Sequence, residues 1–433
     1  MKYPEFYGLL RDCVAACIEV VRGHLDAGGQ IPVTLEQEVS VEEVPVRAFV
    51  VSRQFVPKRR FDRLPAKLRD NICELPSLAA LLVFLDGDPL GEELLVDAAG
   101  DRIRDQVNQA QWLLDAYVNP LVSRYLELAP DALFSEERFR SLYDELEDYI
   151  ERGAVNVRVW APLVFFTMAE PAVCLWDNLC IRQLTGAEWQ ELWTFPELDQ
   201  DGLPFFQPET RFALETGQEV PKRGPVDLSD TLTAFNDAVT ALRLTKAGRV
   251  WFNVHKYAPT HPVFGCPRAG SGGRGAPGGS GPDYHLAPAD VPTVRRIVEA
   301  LHKHPLAGNV RVALDRFNLG CERERPDDTL IDYWIALEAL FLPDEPPQEL
   351  RYRASLRVAY FVGQHPEDRE EIFRQIRRSY DVRSAIVHGR KSEDAPQVAQ
   401  FTEDVLRRAL RRAVVAPGLL GIQELDKLIL RGS

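Results

Sequence analysis

The sequence predicts a mixed fold, in which an N-terminal α+β region is followed by a C-terminal all-α helical bundle. Helical and strand-like patterns alternate over residues 1–266, and a Gly/Pro-rich segment follows at 267–283. From 287 to 433 apolar residues recur only at helical spacing. We therefore expect an N-terminal region of one or two subdomains with a sensing or regulatory role, a flexible loop, and a helical domain.

The N-terminal patterns mix helices with strands. In chain order they predict a helix at about 5–24, a strand at about 46–52, helices at about 105–128 and 136–152, and β structure at 157–166. Pro162 confines that last strand to a sheet edge or a break, because proline cannot donate to the ladder. Thr185 and Glu188 have the spacing of a capping box at a helix start. No residue set in this region has the pattern of a catalytic site.

Composition limits the partners that the chain can have. Hydrophobic residues make up 45% of the 433 positions and charged residues 27%, which is typical of globular domains. The net charge of −14 argues against a protein coated with nucleic acid, although it leaves room for a local basic site. Because no apolar run reaches the ~20 residues that a membrane span needs, we expect no membrane partner.

The seven cysteines predict neither a disulfide framework nor a metal site. They are scattered and odd in number, and no pair has the C-x2-C spacing of a zinc knuckle. Cys13 and Cys17 lie one turn apart on an amphipathic helix, where we expect two buried thiols. With no signal peptide at Met1, this pattern favours a reducing cytoplasm, and we expect no metal and no cofactor.

The segment at 267–283 lacks apolar residues that could pack, so we expect a flexible loop. A phosphate-binding loop is the alternative, but G-x4-G-K-[ST] is absent. Beyond it, the spacing predicts helices at about 291–304, 308–324, 328–342, 349–362, 366–388, 398–414 and 421–430. The helix near 330–342 is apolar nearly all round, which is typical of the buried central member of a bundle.

One motif in the helical domain is suited to chemistry. The helix at 366–388 ends in Arg-x4-His, formed by Arg383 and His388 just before Gly389. A histidine titrates near neutrality and can act as a general acid or base, while a guanidinium binds two phosphate oxygens. RNA cleavage through attack by the 2′-OH needs no metal with such a pair. The spacing alone is expected by chance, so its context at a helix end carries the argument.

Helix geometry leaves this site incomplete. At ~100° per residue, Arg383 and His388 differ by about 140° and do not share a face. Asp381, Ser384 and His388 do share one, so Asp381 or Ser384 could orient the imidazole. Alternatively, a second copy completes the site across a two-fold axis, which we favour. In a purely structural interpretation, Arg383 pairs with Asp381 or Glu338 and His388 caps the helix end.

Basic residues gather near this helix end, and we assign RNA contacts to four of them: Arg377, Arg378, Arg390 and Lys391. The clusters at 58–60 and 407–412 are more simply solvated faces.

Several ordered motifs resemble the Apea-like HEPN family, and they cover roughly residues 290 to 430. They are the runs at 311–320, 322–343, 350–360 and 380–389. The resemblance implies a dimerising helical bundle and a metal-independent endoribonuclease of prokaryotic defence or toxin–antitoxin systems, which leaves a 2′,3′-cyclic phosphate. The family motif falls on Arg383 and His388, Ser384 takes the polar position after the arginine, and Glu338 matches the acid of the central helix. Some HEPN proteins only dimerise or bind RNA or nucleotides, which is the alternative.

Overall fold

The computed structural model describes fifteen stretches of the chain, and the statements of contact and burial below refer to them. They are residues 1–31, 33–44, 48–59, 66–96, 101–128, 133–186, 188–189, 192, 209–222, 226–259, 270–273, 281–303, 305–343, 349–419 and 421–431. Within these stretches, no helix is both long enough and apolar enough to cross a membrane. The fold is mixed, with strands before residue 287 and helices after it, as predicted.

The chain forms two compact units. The first contains residues 1–159, 217–227 and 256–270, and the second contains 160–216, 228–255 and 271–433. These units do not follow the predicted division at residue 266, because strands that precede that residue group with the C-terminal helices.

The first unit is built from helices around one apolar core, together with a long β-hairpin. The helices are α1 (Pro4–Asp26), α2 (Ala66–Cys73), α3 (Pro76–Gly87), α4 (Pro89–Leu94), α5 (Gln106–Leu113), α6 (Asn119–Leu128) and α7 (Glu136–Glu151). The hairpin pairs β1 (Val33–Val44) with β2 (Ala48–Arg59) in antiparallel register. Cys13 and Cys17 are buried in α1, as predicted. The predicted helix at 105–128 contains one π-helical turn, Leu114–Val118, between α5 and α6.

In the part of the chain that the structure describes, eight further strands follow α7. They are β3 (Ala154–Leu163), β4 (Phe166–Met168), β5 (Ala172–Trp176), β6 (Leu179–Gln183), β7 (Phe212–Pro221), β8 (Val254–Pro259), β9 (Gly270–Gly273) and β10 (Tyr284–Leu286). Six of them form one sheet in the order β5-β6-β7-β3-β8-β9, and β10 pairs with β4 in parallel. Because β3 is internal, the prediction that Pro162 lies on an edge strand is wrong. The alternative of a break fits, since β3 ends one residue later.

The prediction of a flexible loop at 267–283 is wrong for residues 270–273. Gly270–Gly273 forms strand β9, although the segment offers no apolar side chain. A strand at the edge of a sheet needs only backbone N–H and C=O groups, which glycine supplies. Residues 267–269 and 274–280 of the predicted loop lie outside the described residues.

A disulfide between Cys174 and Cys180 was not predicted. The antiparallel register of β5 and β6 places these two cysteines directly opposite each other, which sequence spacing alone does not reveal. Cys266 lies outside the described residues. The cysteine pattern therefore no longer favours a reducing compartment.

The predicted capping box is present. The Thr185 amide donates to Glu188 Oε2 at 2.9 Å, and the Glu188 amide donates to Thr185 Oγ1 at 3.2 Å. Glu188 also accepts from Arg182 Nη1 at 2.7 Å, and Arg182 in turn pairs with Glu215 on β7. The buried carboxylate of Glu188 therefore links a helix start to the sheet.

The C-terminal helices match the predicted positions closely. They are α8 (Ser229–Thr245), which precedes the predicted bundle, then α9 (Val291–Lys303), α10 (Gly308–Glu322), α11 (Pro326–Phe341), α12 (Leu350–Val362), α13 (Pro366–Val387), α14 (Ala395–Val415) and α15 (Ile422–Arg431). Helix α11 is the buried central member, as its pattern predicted: Leu330, Trp334, Leu337 and Leu340 are all fully buried. It packs against α10, α12, α13 and α14.

Candidate functional site

The position of α13 is fixed by a buried chain of polar side chains. Trp334 Nε1 on α11 donates to Ser379 Oγ on α13 at 2.8 Å. The Ser379 and Thr402 hydroxyls are 2.7 Å apart, and Thr402 Oγ1 donates to the Val398 carbonyl on α14. These residues were not predicted, because an isolated Ser or Thr in a helix carries no signal of its partner. The network sets the register of α13 against α11 and α14, and Arg383 follows one turn after Ser379.

The last turn of α13 ends in a Schellman motif. The Gly389 amide donates to the Ile386 carbonyl at 2.9 Å, and the Arg390 amide donates to the Ala385 carbonyl at 2.9 Å. Gly389 has a φ of +76°, a conformation that an L side chain adopts only with strain. His388 is the residue at which the helix ends, so its side chain leaves the helix at a well-defined place.

Because no neighbouring atom obstructs a Cβ at Gly389, Gly389→Ala is expected to cost backbone strain alone. We expect the free energy of unfolding to fall by about 1–2 kcal/mol, measured by urea denaturation. Gly308→Ala is the matched control, because Gly308 begins α10 in ordinary helical backbone with equal space around it. Equal stability of the two variants would contradict this account of the helix end.

Arg383 faces Glu338 but is held loosely. Its Nη2 lies 3.6 Å from Glu338 Oε1, and its buried Nε has no hydrogen-bond partner among the described residues. Burial raises the pKa of Glu338, and the charge of Arg383 opposes that rise. Arg357 shows the contrasting case, since it donates to both carboxylate oxygens of Asp426 at 2.8 Å. The guanidinium of Arg383 therefore keeps donors that a ligand could use.

His388 is exposed, and neither predicted orienting group forms a hydrogen bond with its ring. Asp381 instead accepts from Arg351 Nη1 at 2.6 Å, so it belongs to a link between α13 and α12. Ser384 contacts His388 only through its carbonyl, which accepts from the His388 amide at 3.2 Å. Among the described residues, no hydrogen bond to the imidazole is present. No hydrogen bond from the described part of the same chain therefore fixes the orientation of the ring.

The predicted RNA-contacting residues divide into two groups. Arg377 and Arg378 line a groove of about 510 Å³ along α13, together with Glu370, Phe373, Arg374 and Asp381. Arg377 lies over the Phe373 ring, and Arg378 pairs with Asp394 at 2.7 Å. Arg390 and Lys391 are exposed just after the helix end, and neither forms an ion pair within the described part of the chain.

No family model, curated protein or solved structure matches this chain. The class of protein is therefore defined by fold alone: a mixed α/β chain whose C-terminal part is helical. The resemblance to the Apea-like HEPN family stays a hypothesis.

Proposed function

We propose that this protein is a metal-independent endoribonuclease of the HEPN type, with Arg383 and His388 as its catalytic residues. The proposal includes a homodimer, RNA as the substrate, and a role in prokaryotic defence or a toxin-type stress response. It also includes the cytoplasm as the location, which rests on the presence of RNA there and not on the cysteines, since Cys174 and Cys180 form a disulfide.

The observation that carries the proposal is the loose pairing of Arg383 with Glu338, in which the guanidinium lies beyond hydrogen-bond distance of the carboxylate. A structural arginine at a half-buried position is expected to bind its carboxylate closely, as Arg357 does. The 3.6 Å separation from Glu338 leaves the Nη2 group of Arg383 with donors for a phosphate, whereas its Nε is buried. Glu338 partly balances the charge until a substrate arrives, which gives this acid a supporting role.

The two residues would divide the reaction between them. A neutral His388 takes the proton from the 2′-OH, whose oxygen attacks the adjacent phosphorus while the bond to the 5′-oxygen breaks. The leaving 5′-oxygen receives a proton from a second acid, and the products are a 2′,3′-cyclic phosphate and a 5′-hydroxyl. Arg383 would bind the non-bridging oxygens, where negative charge accumulates.

The second acid is the reason for including a dimer. One chain supplies a single His388 at this helix end, and its ring has no orienting partner among the described residues. A two-fold axis near the end of α13 would bring two arginines and two histidines into one cleft. Val387, next to His388, is 53% exposed and would be covered by such a contact.

The function is tested by incubating the purified chain with mixed single-stranded RNA in EDTA. Cleavage products that end in 2′,3′-cyclic phosphate are expected. They would be identified by a 3′ end that resists phosphatase and can be ligated only after acid has opened the ring and the resulting phosphate has been removed. Intact RNA under these conditions would contradict the nuclease proposal for the isolated chain.

The basic residues after the helix end give a separate prediction about binding. In a His388→Ala background, where RNA stays intact, we expect Arg390→Gln with Lys391→Gln to lower RNA affinity. The slope of log affinity against log salt should shrink by about 0.7 for each phosphate that the variant no longer neutralises. Arg325→Gln, which removes an arginine side chain that is 74% exposed, is the control and should leave the slope unchanged.

A non-catalytic module that dimerises or binds RNA or nucleotides is the second candidate. The free orientation of the His388 ring favours it, because general acid–base catalysis needs a positioned proton acceptor. Salt-dependent RNA binding without cleavage, in the wild type and the His388→Ala variant alike, would select this candidate.

A further inference from the structure

A cleft of about 590 Å³ lies between helices α8 and α10 in the second unit, and none of the residues of the proposed nuclease site lines it. The two helices present polar stripes to it, with residues at helical spacing on each: Asp237, Thr240 and Arg243 on α8, and Arg311, Asp315, Asn318 and Glu322 on α10. Helices that pack directly face each other with apolar residues. Some of these residues bond directly across the cleft, since Asn318 Nδ2 donates to Thr240 Oγ1 at 2.8 Å, and the others face open space that a polar ligand or water can fill.

Some of these charged side chains bind each other and so hold α8 and α10 together. Arg243 is buried and donates to Asn318 Oδ1 and Glu322 Oε1, at 3.0 Å each. It also donates to the Val250 carbonyl at 3.0 Å. Its guanidinium is thus committed to the protein and is not free for a ligand.

The Asp237 carboxylate has fewer partners within the protein than the Arg243 guanidinium has. Its side chain is 10% exposed, and the nearest cation, Arg311 Nη1, lies 3.8 Å away, beyond hydrogen-bond distance. Within the described residues, no group donates a hydrogen bond to this carboxylate. Burial raises the pKa of Asp237, the charges of Arg311 and His302 oppose the rise, and the charge of Asp315 adds to it. A buried carboxylate without donors is costly unless something else supplies them.

We propose that this cleft binds a small organic cation, an amine or guanidine compound whose N–H groups donate to Asp237 and Asp315. The lining has three carboxylates and two guanidinium groups. Because Arg243 and Glu322 bind each other, Asp237 and Asp315 remain against Arg311, an excess of one negative charge. That balance favours a cation over a phosphate or another anion. Trp251 and the partly exposed Leu319 also line the cleft and offer apolar contacts to the carbon chain of such a ligand. The volume is in the range of small-molecule sites.

The test is calorimetric titration of the full chain with 1,4-diaminobutane, spermidine and agmatine, with adenosine monophosphate as the anionic comparison. Saturable binding of at least one amine is expected, without binding of the anion. Asp237→Asn should weaken it about tenfold or more, because the substitution keeps the shape and removes the charge. Asp230→Asn, on the exposed first turn of the same helix, is the matched control and should bind as the wild type does.

Asp315→Asn provides a second variant at an exposed position, so it tests the cleft even if the buried substitution impairs folding. It should also weaken amine binding. Three results would overturn the proposal: no saturable amine binding at millimolar concentration, equal amine binding by the wild type and Asp315→Asn, or preferential binding of the anion.

Discussion

Replacing His388 with alanine is expected to lower the rate of metal-independent RNA cleavage by about 10²–10⁴-fold, the usual contribution of a general acid or base. The physical reason is the loss of the proton acceptor for the 2′-OH. Because His388 is exposed and its ring has no hydrogen bond in the described structure, the substitution should leave the thermal stability of the chain unchanged. The rate is measured with excess RNA in EDTA, and stability by circular dichroism.

His365→Ala is the matched control for this experiment. His365 is also exposed and lies at the other end of the same helix, α13, where it immediately precedes Pro366. It should cleave RNA at the wild-type rate. If His388→Ala keeps more than about a tenth of the wild-type rate, the imidazole does not transfer the proton in the rate-limiting step.

The largest expected loss of stability comes from Trp334→Ala. The indole is fully buried in α11, it meets the Tyr380 ring at a centroid distance of 5.1 Å, and its Nε1 donates to Ser379. Truncation leaves a large cavity and removes a buried hydrogen bond. We expect the free energy of unfolding to fall by about 3–5 kcal/mol, measured by urea denaturation.

Trp334→Phe separates the two contributions. It keeps most of the ring volume but loses the indole N–H, while Ser379 retains its hydrogen bond with Thr402. Its expected cost is therefore smaller, about 1–2 kcal/mol. A loss below about 1 kcal/mol for Trp334→Ala would contradict a central role of this side chain in the bundle.

The helices of the C-terminal part were predictable because their signals are local. Apolar stripes and Gly or Pro stops depend on residues within a few turns, and the helix predicted at 366–388 is observed at Pro366–Val387. The sheet was not predictable in the same way. Strand β3 lies between β7 and β8, which are distant in sequence, and no local pattern specifies such neighbours.

At the candidate site too, features set by local sequence were predictable and contacts between distant residues were not. The end of the helix at His388 could be predicted from Gly389, because a glycine with positive φ is a local signal that stops a helix. The partners of the charged residues did not follow. Asp381 shares a helix face with His388, but the structure pairs it with Arg351 from another helix. Helical periodicity predicts which face a side chain occupies, whereas its partner depends on how the helices pack.

The most direct test of the proposed site is to mix the wild-type chain with about a ninefold excess of His388→Ala and to measure RNA cleavage in EDTA. If one cleft uses His388 of both copies, one as base and one as acid, a mixed dimer lacks one of these two groups. Random exchange of subunits then pairs only about a tenth of the wild-type chains with each other, so the activity should fall to about a tenth of that of the same amount of wild type alone. Unchanged activity in the mixture, with subunit exchange verified, would contradict a site shared between two copies.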